Sequence, residues 1–162
     1  MAELIPTGSW SLWYHSPNES KWTPSTYKQV VTLKTWTDLW SIIDLLSEEA
    51  FLNGFFFFMK DPAPPLWENK ANIRGGSYSM RISHKDAFDV FIKYVVGAML
   101  GVVSNDVANK LNGVTISPKR GFNVINVWNE DYEKASSHIK LITKVVEPTE
   151  IRYTRNIDKQ FN

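Results

Sequence analysis

Thr35-Trp36-Thr37-Asp38-Leu39-Trp40-Ser41-Ile42-Ile43-Asp44-Leu45-Leu46, followed shortly by Gly54-Phe55-Phe56-Phe57-Phe58-Met59, carries both periods from which the fold is built. In the first part Trp36, Leu39, Trp40, Ile43 and Leu46 recur at three and four residues, and Thr35 with Asp38 makes a capping pair. This predicts a helix of about three turns. The phenylalanine run is too short for a helix and too aromatic for a loop, so it reads as a strand apolar on both faces.

Upstream, Ser9-Trp10-Ser11-Leu12-Trp13-Tyr14-His15 alternates as a half-buried strand does and runs into the turn cluster Ser16-Pro17-Asn18-Glu19-Ser20. Tyr27 to Leu33 is a shorter strand. Downstream, Lys60 to Asn69 holds three prolines and is expected as a stiffened loop. Ser77 to Ile82 alternates again, and Ser83 with Asp86 opens a long helix bearing Phe88, Phe91, Val95 and Met99 on one stripe. Gly113–Ser117 and Asn123–Trp128 flank a Pro-Lys-Arg-Gly turn as an antiparallel hairpin. A third helix is expected from Glu130 towards Lys144, and a last strand over Glu150–Thr154. Strands paired through short turns, with three helices between them, predict one α+β domain over residues 1–162. Its mainly antiparallel sheet would be covered by helices on one face, leaving the other for a ligand.

The balance of 18 Lys plus Arg against 17 Asp plus Glu leaves a net charge of +1, so no global field draws the chain onto nucleic acid and any such contact must be local. The absence of cysteine excludes disulfides, thiolate zinc sites and Cys nucleophiles, and fits a reducing compartment. Met1-Ala2-Glu3-Leu4 has no signal-peptide pattern and no stretch reaches the roughly 18 apolar residues of a membrane span, so a soluble intracellular protein is expected. The departure from ordinary composition is aromatic: 7 Trp, 6 Tyr and 9 Phe, several of the tryptophans in polar company.

Two tryptophans fall outside every amphipathic stripe: Trp22, between Lys21 and Thr23-Pro24, and Trp67, after the two prolines of Pro64-Pro65-Leu66 and before Glu68. Each alone reads equally well as a cap on the edge of the core. Together with the acid they suit a guanine made cationic by methylation. Such a base gains stacking and cation–π attraction between two indoles, roughly 1–3 kcal/mol per stacked base. A carboxylate offers two acceptors to the guanine N1–H and N2 amino group, an edge adenine does not present. Out of that context Glu68 would be a solvated loop carboxylate. Arg74, Lys119, Arg120, Arg152 and Arg155 are candidate phosphate contacts, each on its own equally a surface charge.

These residues resemble the eukaryotic translation initiation factor 4E family of mRNA cap-binding proteins. The resemblance runs from Trp10 to about Tyr153 and is most specific in Pro65-Leu66-Trp67-Glu68-Asn69 followed by Arg74-Gly75-Gly76. Trp10 with Trp13, Lys21-Trp22, Asp38-Leu39-Trp40 and Val127-Trp128 support it. It implies a curved antiparallel sheet with three helices on the convex face and the 7-methylguanosine cap in the concave slot. Trp22 and Trp67 would stack the base, Glu68 read its edge, Trp128 touch the N7-methyl group, Arg74 brace the site and Lys119 meet phosphate. A scaffold of the 4G kind or a 4E-binding protein would dock on the convex face at Trp36, Trp40, Tyr94 and Gly97. The resemblance implies no catalytic residue, cofactor or metal, and a monomer in the cytoplasm, with the nucleus as a second setting.

The chain departs from the family pattern at several points. Two basic phosphate positions align with Gly121 and Val124, so Arg120, Arg152 or Arg155 would have to substitute. The family's Trp after Arg-Gly-Gly-x is Tyr78, acidic and leucine positions of the docking surface align with Tyr94 and Gly97, and Leu4-Ile5-Pro6 stands near an absent His-Pro. The C-terminal loop is expected to be short. Four functions follow for comparison: a cap-binding factor that recruits a scaffold, a paralogue that represses or stores mRNA, a general single-strand RNA binder, and an enzyme. For the last, His15, His84 and His138 stand at no metal-ligand or triad-like spacing, and the chain has no nucleophile elbow or phosphate-cradling glycine loop.

Overall fold

The computed structural model describes residues 2–135, 139 and 150–161. Seven strands make one sheet: β1 (Trp10–His15), β2 (Lys28–Leu33), β3 (Phe55–Lys60), β4 (Gly76–Ser83), β5 (Leu111–Pro118), β6 (Phe122–Asn129) and β7 (Arg152–Arg155). Their order is β2-β1-β3-β5-β6-β4-β7 and every neighbouring pair is antiparallel. Two α-helices, α1 (Trp36–Asn53) and α2 (His84–Leu100), pack on one face.

The capping pair forms as expected: Asp38 N–H donates to Thr35 Oγ1 at 3.1 Å and Thr35 N–H donates to Asp38 Oδ2 at 3.0 Å. Lys34 N–H and Thr35 N–H, both donating to Asp38 Oδ2, hold the Asp38 carboxyl below its ordinary range. α1 is longer than the three turns its stripe suggests, because the chain kinks at Ser47, φ 72°, and resumes. The kink brings Phe51, wholly buried, against Phe56, Phe58 and Phe91. That packing offsets the roughly 1–3 kcal/mol of a left-handed non-glycine residue. α2 ends where Gly101, φ 76°, donates to Ala98 O and lets Val102 N–H reach Gly97 O.

Two expectations need correction. Among the described residues there are two α-helices rather than three: directly after β6 the chain makes a 3-10 turn at Tyr132–Lys134, because Asp131 caps Glu133 N–H and Ala135 leaves helical geometry. The remainder of the expected third helix, 136–138 and 140–144, lies outside the described residues. Tyr94 and Gly97, expected on a docking face, are both buried, Tyr94 completely, because they fall on the α2 stripe that packs against the sheet.

Alternation sorts the strand residues between two faces. Leu12, Phe56, Phe58, Val114, Ile116, Tyr78, Met80, Ile82, Ile125 and Val127 join the helices in the core. The opposite, helix-free face is laid out in rows fixed by register. The central row runs Trp13, Phe57, Thr115, Asn126, Ser79, Arg152. The row on one side runs Ser11, Met59, Gly113, Trp128, Ser77, Thr154, and the row on the other contains His15 beside Phe55 and Ser117 beside Val124 and Arg81. Gly113 is required where it stands, because a Cβ there would lie 2.3 Å from Met59 Sδ.

Candidate functional site

A small second cluster sits on the helix-free face: Phe57, Met59 and Trp128, flanked by Trp13, Tyr27 and Phe55. Trp22 is laid against its edge by the chain after β1. His15, the last residue of that strand, is buried and its Nε2 meets Lys21 O at 2.8 Å, which fixes the backbone just before Trp22. The His15 ring is parallel to the Trp22 indole, 3.6 Å away with 3° between planes, while Phe55 and Tyr27 meet Trp22 edge-on at 4.8 and 5.8 Å. One indole face is thereby backed and Trp22 still keeps 48% of its surface exposed.

Trp67 and Glu68 hang on a loop whose anchor is a buried amide. Asn72 is completely buried; its Nδ2 donates to Pro64 O at 2.7 Å and to Leu66 O at 2.9 Å, and its Oδ1 accepts from Asn112 Nδ2 at 2.9 Å. Its own carbonyl accepts from Asn156 Nδ2 at 2.8 Å. The backbone on the N-terminal side of Trp67 is therefore clamped to β5 and to the segment after β7. Trp67 is half-buried and Glu68 exposed.

Glu68 connects the two tryptophans electrostatically. Burial, with the nearby Glu68 charge second, pushes the Tyr27 phenol up to about 12, and Tyr27 touches Trp22. On the other side the Lys159 ammonium lies over the Trp67 ring, 6.0 Å from its centroid. Burial lowers the Lys159 pKa and the attraction of Glu68 opposes that shift. One indole face beside one carboxylate thus already holds a cation from the chain itself. Trp22 and Trp67 make no ring contact with each other.

Trp128 is buried on the floor, and its indole N–H, like that of Trp13, is without an acceptor among the described residues. The five expected phosphate contacts divide. Lys119 and Arg120 are exposed in the β5–β6 turn, and Arg152, opposite Ser79, lies on the helix-free face. Arg74 and Arg155 lie at the other end of the strands and are partnered there. Arg74 is 3.7 Å from Glu133 and 4.0 Å from Asp131, and Arg155 grips Asp158 with two hydrogen bonds of 2.9 and 3.0 Å. Both guanidinium groups lie over Tyr132, at 5.7 and 5.1 Å. Arg155 opposes Gly76, two residues from the core pair Tyr78 and Tyr153, so it projects from the face opposite Arg152.

On α1, Trp36 packs half-buried against the core and Trp40 is 46% exposed. His84 Nδ1 bonds Asn123 Oδ1 and His138 lies outside the described residues. Among the described residues no three His, Asp or Glu side chains gather in a way that could hold a metal ion, and no helix is long and apolar enough to cross a membrane.

Sequence reasoning missed His15 as the backing of Trp22, Asn72 as the anchor of the loop, Lys159 over Trp67, and Arg81. The first and last were open to the alternation rule, since His15 shares a face with Ser11 and Trp13 and Arg81 with Ser77 and Ser79. Asn72 and Lys159 gave no local signal, because their contacts are made across the chain.

The class of this protein is defined by a helix-backed antiparallel sheet whose open face carries an aromatic cluster edged by Trp22, with Trp67 and Glu68 on a neighbouring loop. The chain belongs to the eukaryotic initiation factor 4E family, whose model matches residues 7–162. It is 25% identical over 161 residues to eukaryotic translation initiation factor 4E-2 of Schizosaccharomyces pombe, covering 92% of this chain and 65% of that protein. It is 26% identical over 131 residues to initiation factor 4E of Saccharomyces cerevisiae, covering 77% and 61%. The chain therefore spans less than two thirds of the length of these curated relatives. Its fold matches Caenorhabditis elegans eIF4E-3, solved with the 4E-binding protein Mextli and a cap analogue. The TM-score is 0.82 at 16% identity, covering 100% of this chain and 97% of that one. It also matches Ascaris suum eIF4E-3, solved with the m7G cap, at a TM-score of 0.72 and 18% identity, covering 83% and 77%.

Proposed function

We propose that this chain, as one cap-binding domain and a monomer, binds the 7-methylguanosine cap of mRNA and recruits a 4G-like scaffold for translation initiation in the cytoplasm. The observation that carries the reading is the cation already held over Trp67 beside Glu68: a face built for a charged group will take a methylated purine in its place. Trp22, backed by His15, supplies the second stacking face; Glu68, whose charge reaches Tyr27 on one side and Lys159 on the other, accepts the guanine N1–H and N2 amino protons. Trp128 closes the floor against the N7-methyl group, and Lys119, Arg120 and Arg152 face the triphosphate. Nothing in this scheme breaks a covalent bond, so the activity is binding rather than catalysis. Trp40 is the exposed aromatic offered to a protein partner on α1.

The test is a tryptophan fluorescence titration with 7-methylguanosine triphosphate beside GTP, repeated on Trp67→Ala. Saturable quenching by the methylated ligand alone, lost in the variant, supports the reading; equal response to both ligands overturns it. Glu68→Ala should cost about 1.5–3 kcal/mol of guanine binding and erase the preference over 7-methyladenosine triphosphate.

A further inference from the structure

Every strand side chain on the helix-free face can be assigned from register, and the charges on that face are one-sided. β1, β3, β5 and β6 contribute aromatic, aliphatic, thioether, hydroxyl and amide side chains and no acid; β4 and β7 contribute Arg81 and Arg152; no Asp or Glu of these strands points this way. Arg152 opposes Ser79 and Arg81 lies two residues further along β4 on the same face, so the two guanidinium groups are diagonal neighbours. Neither takes part in an ion pair among the described residues. Arg81 is exposed and its guanidinium lies 5.4 Å over the Phe122 ring, an orientation that holds the side chain down on the face. The adjoining β5–β6 turn adds Lys119 and Arg120, both exposed. Two like charges set side by side without a counter-ion repel, which favours an anion between them.

The placement relative to the aromatic slot is equally specific. Arg81 pairs across the sheet with Val124, and Val124 with Ser117; His15, at the other end of the same row, pairs with Phe55. Trp22 rests on His15 and Phe55. A base seated on Trp22 therefore has Arg81 across the floor in its own row, four strand steps from His15, roughly 19 Å at about 4.8 Å per step, a span that base, ribose and phosphate chain cover from one side and an arginine reaches into from the other. Nothing between them competes for phosphate, since Ser117 and Val124 are uncharged.

We propose that Arg81, with Arg152 beside it, is a phosphate-binding residue of this slot, gripping the β- and γ-phosphates of a triphosphate whose base stacks on Trp22. The inference rests on the cap-binding reading above. Arg81→Gln is exposed and should fold normally. In fluorescence titrations it should bind 7-methylguanosine triphosphate roughly 10- to 100-fold more weakly than the unaltered chain, with the 7-methylguanosine nucleoside unaffected and a shallower dependence on salt. Because Val124 faces Arg81 directly, Val124→Lys placed on Arg81→Gln should recover much of the loss. If the unaltered chain binds neither methylated ligand, the cap reading itself falls. If it binds both and Arg81→Gln leaves triphosphate affinity unchanged, or weakens nucleoside and triphosphate alike, the assignment of Arg81 is overturned while the cap reading stands.

Discussion

Replacing Asn72 by alanine removes three side-chain hydrogen bonds at once, two donated to Pro64 O and Leu66 O and one accepted from Asn112. At a net ~1 kcal/mol each the loss comes to about 3 kcal/mol. Leu66 O keeps one donor, Asn69 N–H at 3.1 Å, and Asn112 Nδ2 keeps Ala71 O at 3.0 Å, so the change strands few polar groups completely and should not exceed that figure by much. Urea unfolding followed by tryptophan fluorescence should show the loss, accompanied by a fall in Tm of about 9 °C for a domain of this size. The freed segment carries Trp67 and Glu68, so the folded variant should also bind 7-methylguanosine triphosphate more weakly. A loss below about 1 kcal/mol with binding intact would refute the reasoning, because it would mean that the loop carbonyls exchange Asn72 for water at no cost and that the loop is held by its prolines alone.

Lys159→Ala uncovers the Trp67 face and should strengthen binding of 7-methylguanosine triphosphate by about 2- to 5-fold, the lower end of what a cation–π contact is worth; unchanged affinity in a fluorescence titration would deny that Lys159 competes with the ligand. Tyr27, with a folded-state pKa of about 12 against an ordinary 10, contributes stability that is present below pH 10 and lost as the pH rises towards 12. Tyr27→Phe should flatten that alkaline decline in denaturation curves measured across the window. Gly76→Ala would put a Cβ 2.3 Å from Thr154 O and 2.6 Å from Tyr153 Oη, forcing β4 and β7 apart at a cost of about 1–3 kcal/mol; an unchanged urea midpoint would show that β7 shifts freely. Thr35→Ala removes the cap that Asp38 N–H uses and should cost about 1 kcal/mol in the same assay.

The fold was legible where period and position agree. The phenylalanine run, the hairpin around Lys119–Gly121 and the stripe of α2 each follow from local sequence, and the structure forms them with boundaries close to those expected. The α1 stripe breaks at Ser47, so the sequence predicts a shorter helix, and only Phe51, packing against strands from elsewhere in the chain, shows why the helix resumes. The expected third helix failed at its described start because the residues after Asn129 are held by other contacts. Tyr132 N–H donates to Arg74 O, and Asp131 caps a turn rather than a helix.

The slot divides along the same line. Trp22, Trp67 and Glu68 stand out in the sequence because their chemistry is unusual for their neighbourhoods, whereas which cations share their face of the sheet does not, since a basic residue looks the same on either side. Register decides it. Arg152 and Arg155 are three apart and so lie on opposite faces, one over the slot and one tied to Asp158, while Arg81, which no motif marks, is placed on the slot side by its partner Val124. Of five cations expected from sequence to meet phosphate, Arg74 and Arg155 are already engaged with carboxylates at the far end of the strands, which leaves Lys119, Arg120 and Arg152 with the added Arg81 as one basic corner. A ligand that stacks on Trp22 and reaches that corner must carry its negative charge across the width of the sheet, and a nucleotide with a single phosphate is too short to use it fully. If Arg81 holds phosphate as proposed, a triphosphate should bind more tightly than a monophosphate of the same base in the fluorescence titration.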